Sequence, residues 1–173
     1  MSAAPAPPLP RIAWRVFAPL DAAINIAING GIAWWLYGGS DEIPLTGPAG
    51  LTMMALPMTF ILSAATTYFG VWNAVRERRA GRVEPALGVG ASWKSSACTE
   101  AVATGVVAWL LAVGAAWLLG RFNPDARVGP VTAVSGIATY AGVVAFLLHG
   151  RAVIRGGSLR SGRDSSARIE RSA

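Results

Sequence analysis

Four apolar runs dominate the chain, at approximately Val16–Tyr37, Leu51–Val75, Ala97–Leu119 and Val128–Leu148. About 20 helical residues cross the hydrocarbon core of a bilayer, so each run is long enough to span it. Between the runs the sequence is punctuated by Gly38-Gly39, Pro44, Gly47-Pro48, Gly81, Pro85, Gly88, Gly90 and Asn123-Pro124, residues that stop helices and make turns. Lipid offers no hydrogen-bond partner to a bare backbone, so each run is expected to be a helix. Pro57 is expected to kink the second helix. The segment RERRAGRV should carry that helix past the membrane, with Gly81 ending it.

The fold expected from this pattern is an all-α membrane protein, an antiparallel bundle of four transmembrane helices. Short loops after the first and third spans make neighbouring spans hairpins. Residues 1–10 are Ala/Pro-rich and are expected to form a disordered leading segment. The bundle occupies 11–150, and 151–173 form a basic disordered tail. No internal repeat is evident.

Composition agrees with a membrane class. Mean hydropathy is +0.46. Only 14% of residues are charged, against about 25% in soluble domains. Met1–Pro10 lacks the basic stretch of a cleaved signal peptide, so the first span is expected to be retained.

Charge gives the direction. Arg11 and Arg15 flank the first span, Arg76, Arg78, Arg79, Arg82 and Lys94 fill the central loop, and six arginines follow the last span. The opposite side holds only Arg121 and Arg127, with Asp41, Glu42 and Asp125. The positive-inside rule then puts both termini in the cytoplasm. Ala/Arg/Gly-rich, Lys-poor usage suggests a GC-rich bacterial genome, hence a multi-pass protein of the cytoplasmic (inner) membrane.

Ionisable groups inside a membrane are costly and mark candidate sites. Asp21 lies six residues after Arg15, and Glu100 six after Lys94. Each carboxylate therefore sits roughly 9 Å above a basic anchor, at one depth. Asp21, Asn25 and Asn29 recur at helical spacing on one face. Asn73 and Thr66 of the second span fall at matching depths, with Thr67 and Ser63 beside them. The candidate intramembrane polar or ion site is thus Asp21, Asn25, Asn29, Thr66, Asn73 and Glu100. Two carboxylates in low dielectric would share a proton or a cation. In the plainer alternative the acids pair with Arg15 or Lys94, and the Asn and Thr side chains join helices. His149 is expected at the inner rim, bonded to lipid headgroup or backbone.

Other chemistry is scarce. Cys98 and His149 are single; an intrachain disulfide, a bis-histidine haem within the chain and HExxH zinc chemistry are excluded. No phosphate-binding glycine motif occurs. No nucleophile–base pair or metal-ligand set is visible, so no enzyme activity and no cofactor are expected. Arg76, Arg78, Arg79, Arg82, Arg151 and Arg155 are expected to contact anionic lipid. No aromatic interleaving accompanies the basic residues, which argues against nucleic acid as a partner. Ala27/Gly31, Ala101/Gly105, Ala108/Ala112/Ala116 and Ala138/Gly142 have the small-xxx-small spacing of close helix contacts. Expected partners are therefore the bilayer, a second copy or another membrane protein.

The first span, NIAINGGIAWWLY, and the run from Ile43-Pro44-Leu45 through the second span to RERRAGRV resemble small four-span bacterial membrane proteins described as uncharacterised or loosely permease-like. The likeness covers the first half of the chain and implies a four-helix membrane protein without an assigned activity. Two functions stand from the sequence. The first is a non-enzymatic accessory, scaffold or partner-binding membrane component. The alternative is an oligomeric proton- or cation-coupled transporter or channel using Asp21 and Glu100.

Overall fold

The computed structural model describes residues 7–47, 50–83 and 93–157. Among them are four helices long and apolar enough to cross a membrane: α1 (Leu9–Tyr37), α2 (Leu51–Arg79), α3 (Trp93–Phe122) and α4 (Pro130–Gly157). At 28 to 30 residues each is roughly 42–45 Å long, more than the ~30 Å hydrocarbon core requires. Two short strands, β1 (Ile43–Pro44) and β2 (Arg127–Val128), pair antiparallel, Ile43 opposite Val128. They tie the segment after α1 to the segment before α4.

Proline shapes α1 locally. Pro19 lacks an N–H, and its ring crowds the carbonyl four residues back, that of Arg15. The turn Ala13–Phe17, which contains Arg15, widens into a π-helical turn. The widened turn lets the helix pass the proline without a break. α2 likewise continues through Pro57.

Helix ends differ from the hydropathy boundaries. α1 begins at Leu9, inside the segment expected to be disordered, because Leu9 is buried among Ala74, Val83 and Val153. α4 runs to Gly157 rather than ending near Leu148. Its extra turns hide Ala152 against Val71, Val75 and Trp93, and Val153 in the Leu9 cluster. The expected basic tail therefore starts as packed helix, and its remainder, 158–173, lies outside the described residues. α2 ends where expected: Arg79 is its last residue and Gly81 takes φ +65°, a conformation that suits glycine.

The packing order is α1 on α4, α4 on α2, and α2 on α3. α1 and α3 are thus the two edges, and α2 and α4 form the central pair. The pair is close at Gly70, where a Cβ would lie 2.6 Å from the Ala152 Cβ and 3.0 Å from the His149 carbonyl oxygen. Two of the small-residue pairs serve inside the molecule: Ala101 and Gly105 are buried on α3, and Ala138 and Gly142 meet Gly30 and Ile26 of α1.

Polar ties join the same helices. Thr59 Oγ1 and the Tyr140 hydroxyl are 3.0 Å apart, linking α2 to α4. Arg78 is 2% exposed, and its Nη1 donates to the Gly156 carbonyl at 3.2 Å. Arg78 is therefore a buried tie between α2 and α4 rather than the anionic-lipid contact expected of it. Beyond α2, Arg82 clasps Glu77 through two contacts of 2.7 Å. That carboxylate holds the Arg82 guanidinium above its ordinary value.

Candidate functional site

A groove with a volume of about 870 Å³ runs between α1 and α2, with Ile137 of α4 also lining it. Most of its wall is apolar: Ile24, Ile28 and Ile32 from α1, and Met53, Met54, Met58 and Phe69 from α2. The groove exists because α1 and α2 both pack on α4 more than on one another and leave a gap over it. Its volume is within the range of small-molecule pockets. Methionine lets such a wall adapt to an irregular guest.

Four polar residues break the apolar lining: Asp21, Asn25, Asn29 and Thr66. Helical spacing puts the first three in one row. Asn25 Nδ2 donates to the Asp21 carbonyl at 2.8 Å, and Asn29 Nδ2 to the Asn25 carbonyl at 2.9 Å. The amides therefore tie back to their own helix and do not bridge helices. Among the described residues neither asparagine Oδ1 receives a protein hydrogen bond.

At the foot of the groove Asp21 Oδ2 stands 3.2 Å from His149 Nδ1. Both atoms are shielded from solvent, and the approach lacks the angle of a formed hydrogen bond. His149 is 2% exposed. Its other nitrogen, Nε2, is 3.3 Å from Asn73 Nδ2, and the Phe17 ring lies 6.3 Å from the imidazole, centroid to centroid. With the amide nitrogen as donor, Nε2 accepts, and a neutral ring carries its hydrogen on Nδ1, toward Asp21. The result is a chain across three helices: Asp21 on α1, His149 on α4 and Asn73 on α2.

Placement at the rim was the expectation for His149; the structure buries it instead. The apolar run of α4 resumes beyond it in Ala152, Val153 and Ile154, and that resumption is the signal by which an interior histidine is legible. Among the described residues neither Arg15 nor Lys94 is the partner of an acid. Glu100 Oε1 pairs with Arg155 Nη1 at 2.8 Å, and it lines a different cavity, between α3 and α4, with Arg151 and Arg155. Of the six candidate residues, Asp21, Asn25, Asn29 and Thr66 share the groove, Asn73 stands behind it on His149, and Glu100 is elsewhere.

The α2 face toward α4 carries further hydroxyls. Ser63 and Thr67 are buried, and their oxygens have no hydrogen-bond partner among the described residues. The other arginines have separate surroundings: Arg76 lies over the Trp72 ring at 5.2 Å, Arg79 over Trp93 at 5.9 Å, and Arg151 is exposed. No cluster of three or more His, Cys, Asp or Glu side chains with metal-binding geometry occurs among the described residues.

Comparison with protein-family models, with curated proteins and with solved structures returns no match.

Proposed function

We propose that the protein is a non-enzymatic, multi-pass component of a bacterial cytoplasmic membrane, with helices alternating in direction and both termini cytoplasmic. We further propose that it acts as a permease-like, proton-responsive binding element through Asp21 and His149. The orientation rests on thirteen basic residues on one side of the spans against two on the other. The activity rests on one observation, the buried imidazole 3.2 Å from the Asp21 carboxylate at the foot of an open groove.

The chemistry follows from the dielectric. A carboxylate in lipid is costly unless it is paired or protonated. Protonated His149 neutralises Asp21; neutral His149 leaves the negative charge to be met by something else. One proton on the ring therefore decides whether the groove presents an anion. Asp21 from α1 is the charged side chain against the ring, and α2 contributes the neutral Asn73. On α4 itself, Arg155 is engaged by Glu100.

His149 is the only histidine of the chain, so ¹⁵N-histidine labelling gives a single probe. In nanodiscs, its ¹⁵N tautomer signature should differ between the wild type and Asp21→Asn. Identical imidazole signals in both proteins at every pH would reject the proposal.

A second reading, an accessory or scaffold subunit, is favoured by a separate feature. α3 packs mainly on α2, and Leu111, Trp117 and Phe122 stand exposed on it. An edge helix of this kind suits a further membrane helix, from a second copy or another subunit. Cysteine crosslinks between copies at Leu111 in native membranes would support it; a monodisperse monomer with no crosslink and no co-purifying partner would count against it.

A further inference from the structure

We propose that the α1–α2 groove binds a membrane-soluble primary amine, with its ammonium head at Asp21 and its hydrocarbon body laid along Ile28 and Met58. The inference builds on Asp21 as the polar anchor of the proposed function and adds the class of ligand.

Asp21 and the Asn25 Oδ1 one helical turn from it select the head. A carboxylate offers about four lone-pair directions, and the imidazole approaches only one Asp21 oxygen. Asn25 and Asn29 each spend an N–H on their own helix, and neither Oδ1 receives a protein hydrogen bond among the described residues. An ammonium carries three donors and no acceptor; the acceptors of Asp21 and Asn25, one turn apart, can converge on it, whereas Asn29, roughly 12 Å from Asp21 along the helix, faces the body of the ligand. A quaternary ammonium has the charge without donors. An anion would meet Asp21 with like charge.

Depth and shape select the body. Asp21 lies six residues beyond Arg15, roughly 9 Å further along the helix. A phospholipid amine reaching that depth would draw its phosphate below the level of the arginine, so a free amphiphilic amine fits better than a lipid headgroup. From Asp21 to Tyr37 the groove follows sixteen residues of α1, roughly 24 Å of apolar wall.

The test is photolabelling in phosphatidylcholine nanodiscs with a dodecylamine that carries a diazirine on its chain. Saturable labelling of α1 and α2 peptides around Ile28 and Met58 is expected. Dodecylamine should compete at least tenfold better than dodecyltrimethylammonium or dodecyl sulfate. Asp21→Asn should cut labelling at least tenfold, and Glu100→Gln should leave it unchanged. Ala65→Phe fills the groove without touching the acid–imidazole pair and should also abolish labelling; it decides the matter alone if Asp21→Asn does not fold. Equal labelling of a folded Asp21→Asn protein overturns the proposal. So does equal competition by the trimethylammonium, labelling spread over α3, or loss of labelling when phosphatidylethanolamine replaces phosphatidylcholine, which would assign the groove to the lipid headgroup. The labelling is read at one pH and the imidazole signal is not among its readouts, so the two proposals can fail separately.

Discussion

Glu100 and Arg155 meet at 2.8 Å, one on α3 and one on α4, and this contact gives the third helix's acid a partner of its own. Asp21 is in contact with His149 instead. Two carboxylates that share a depth along the chain are thereby committed to different neighbours.

Glu100→Gln should therefore leave both the ligand behaviour of the groove and the unfolding midpoint in detergent unchanged. Arg155 is 56% exposed, and solvent-exposed ion pairs contribute little. A large loss of stability in a denaturant titration would show that this pair is a structural tie.

Asp21 and His149 should be energetically coupled. His149→Leu alone leaves a shielded carboxylate oxygen with no partner, at a cost of about 1–3 kcal/mol. Asp21→Asn together with His149→Leu should cost less than the sum of the single changes. The double-mutant cycle, measured by unfolding in mixed micelles, should return a coupling of about 0.5–3 kcal/mol; strict additivity would mean the 3.2 Å contact carries no energy.

Gly70→Ala places a methyl 2.6 Å from the Ala152 Cβ, between α2 and α4. Overpacking of this kind costs about 1–3 kcal/mol. Ala152→Gly in the same chain should recover part of the loss, and a midpoint insensitive to Gly70→Ala would show that the two helices part easily.

Arg78→Met removes the donor to the Gly156 carbonyl while keeping much of the volume. The orphaned carbonyl predicts a loss of about 1–3 kcal/mol and faster proteolysis at the end of α4. Arg79→Met, whose side chain is exposed over Trp93, should be milder in the same assay.

Single cysteines in a Cys98→Ser background report orientation. A membrane-impermeant maleimide should reach Asp41→Cys and Asp125→Cys from the periplasmic side of intact cells, and Arg82→Cys only after the membrane is opened. The reverse pattern would invert the proposed topology.

Much of the frame was legible because hydropathy reports what lipid requires. Length and polarity locate four helices, and Gly81 marks the end of α2 by the conformation it alone takes easily. What hydropathy misses is tertiary. Nothing in the Ala/Pro-rich start says that Leu9 will be covered by Val153, so α1 begins earlier than its apolar run. The row Asp21–Asn25–Asn29 is visible as spacing, and its place on the groove follows from helical period. The partner of Asp21 is not visible that way. Depth counting puts it level with Glu100 and leaves open whether the two meet, whereas the packing order sets α1 and α3 at opposite edges. Arg78 shows the converse error: a basic residue near an interface reads as lipid-facing until the side chain is found inside.

The association of α1 with α4, fastened at one end by the Ile43–Val128 pairing, has a consequence for biosynthesis. Of the four described helices, α1, which precedes the others in the chain, finds its main companion in α4, which follows them. Until Pro130–Gly157 has been made and inserted, α1 must wait in the bilayer beside α2 with the acid of Asp21 uncovered, held by the insertion machinery or by its interfacial arginines. Insertion of the helices in chain order makes the α1–α4 contact the last of the described helix contacts to form, and a nascent chain arrested before α4 should be a ready substrate for membrane quality-control proteases.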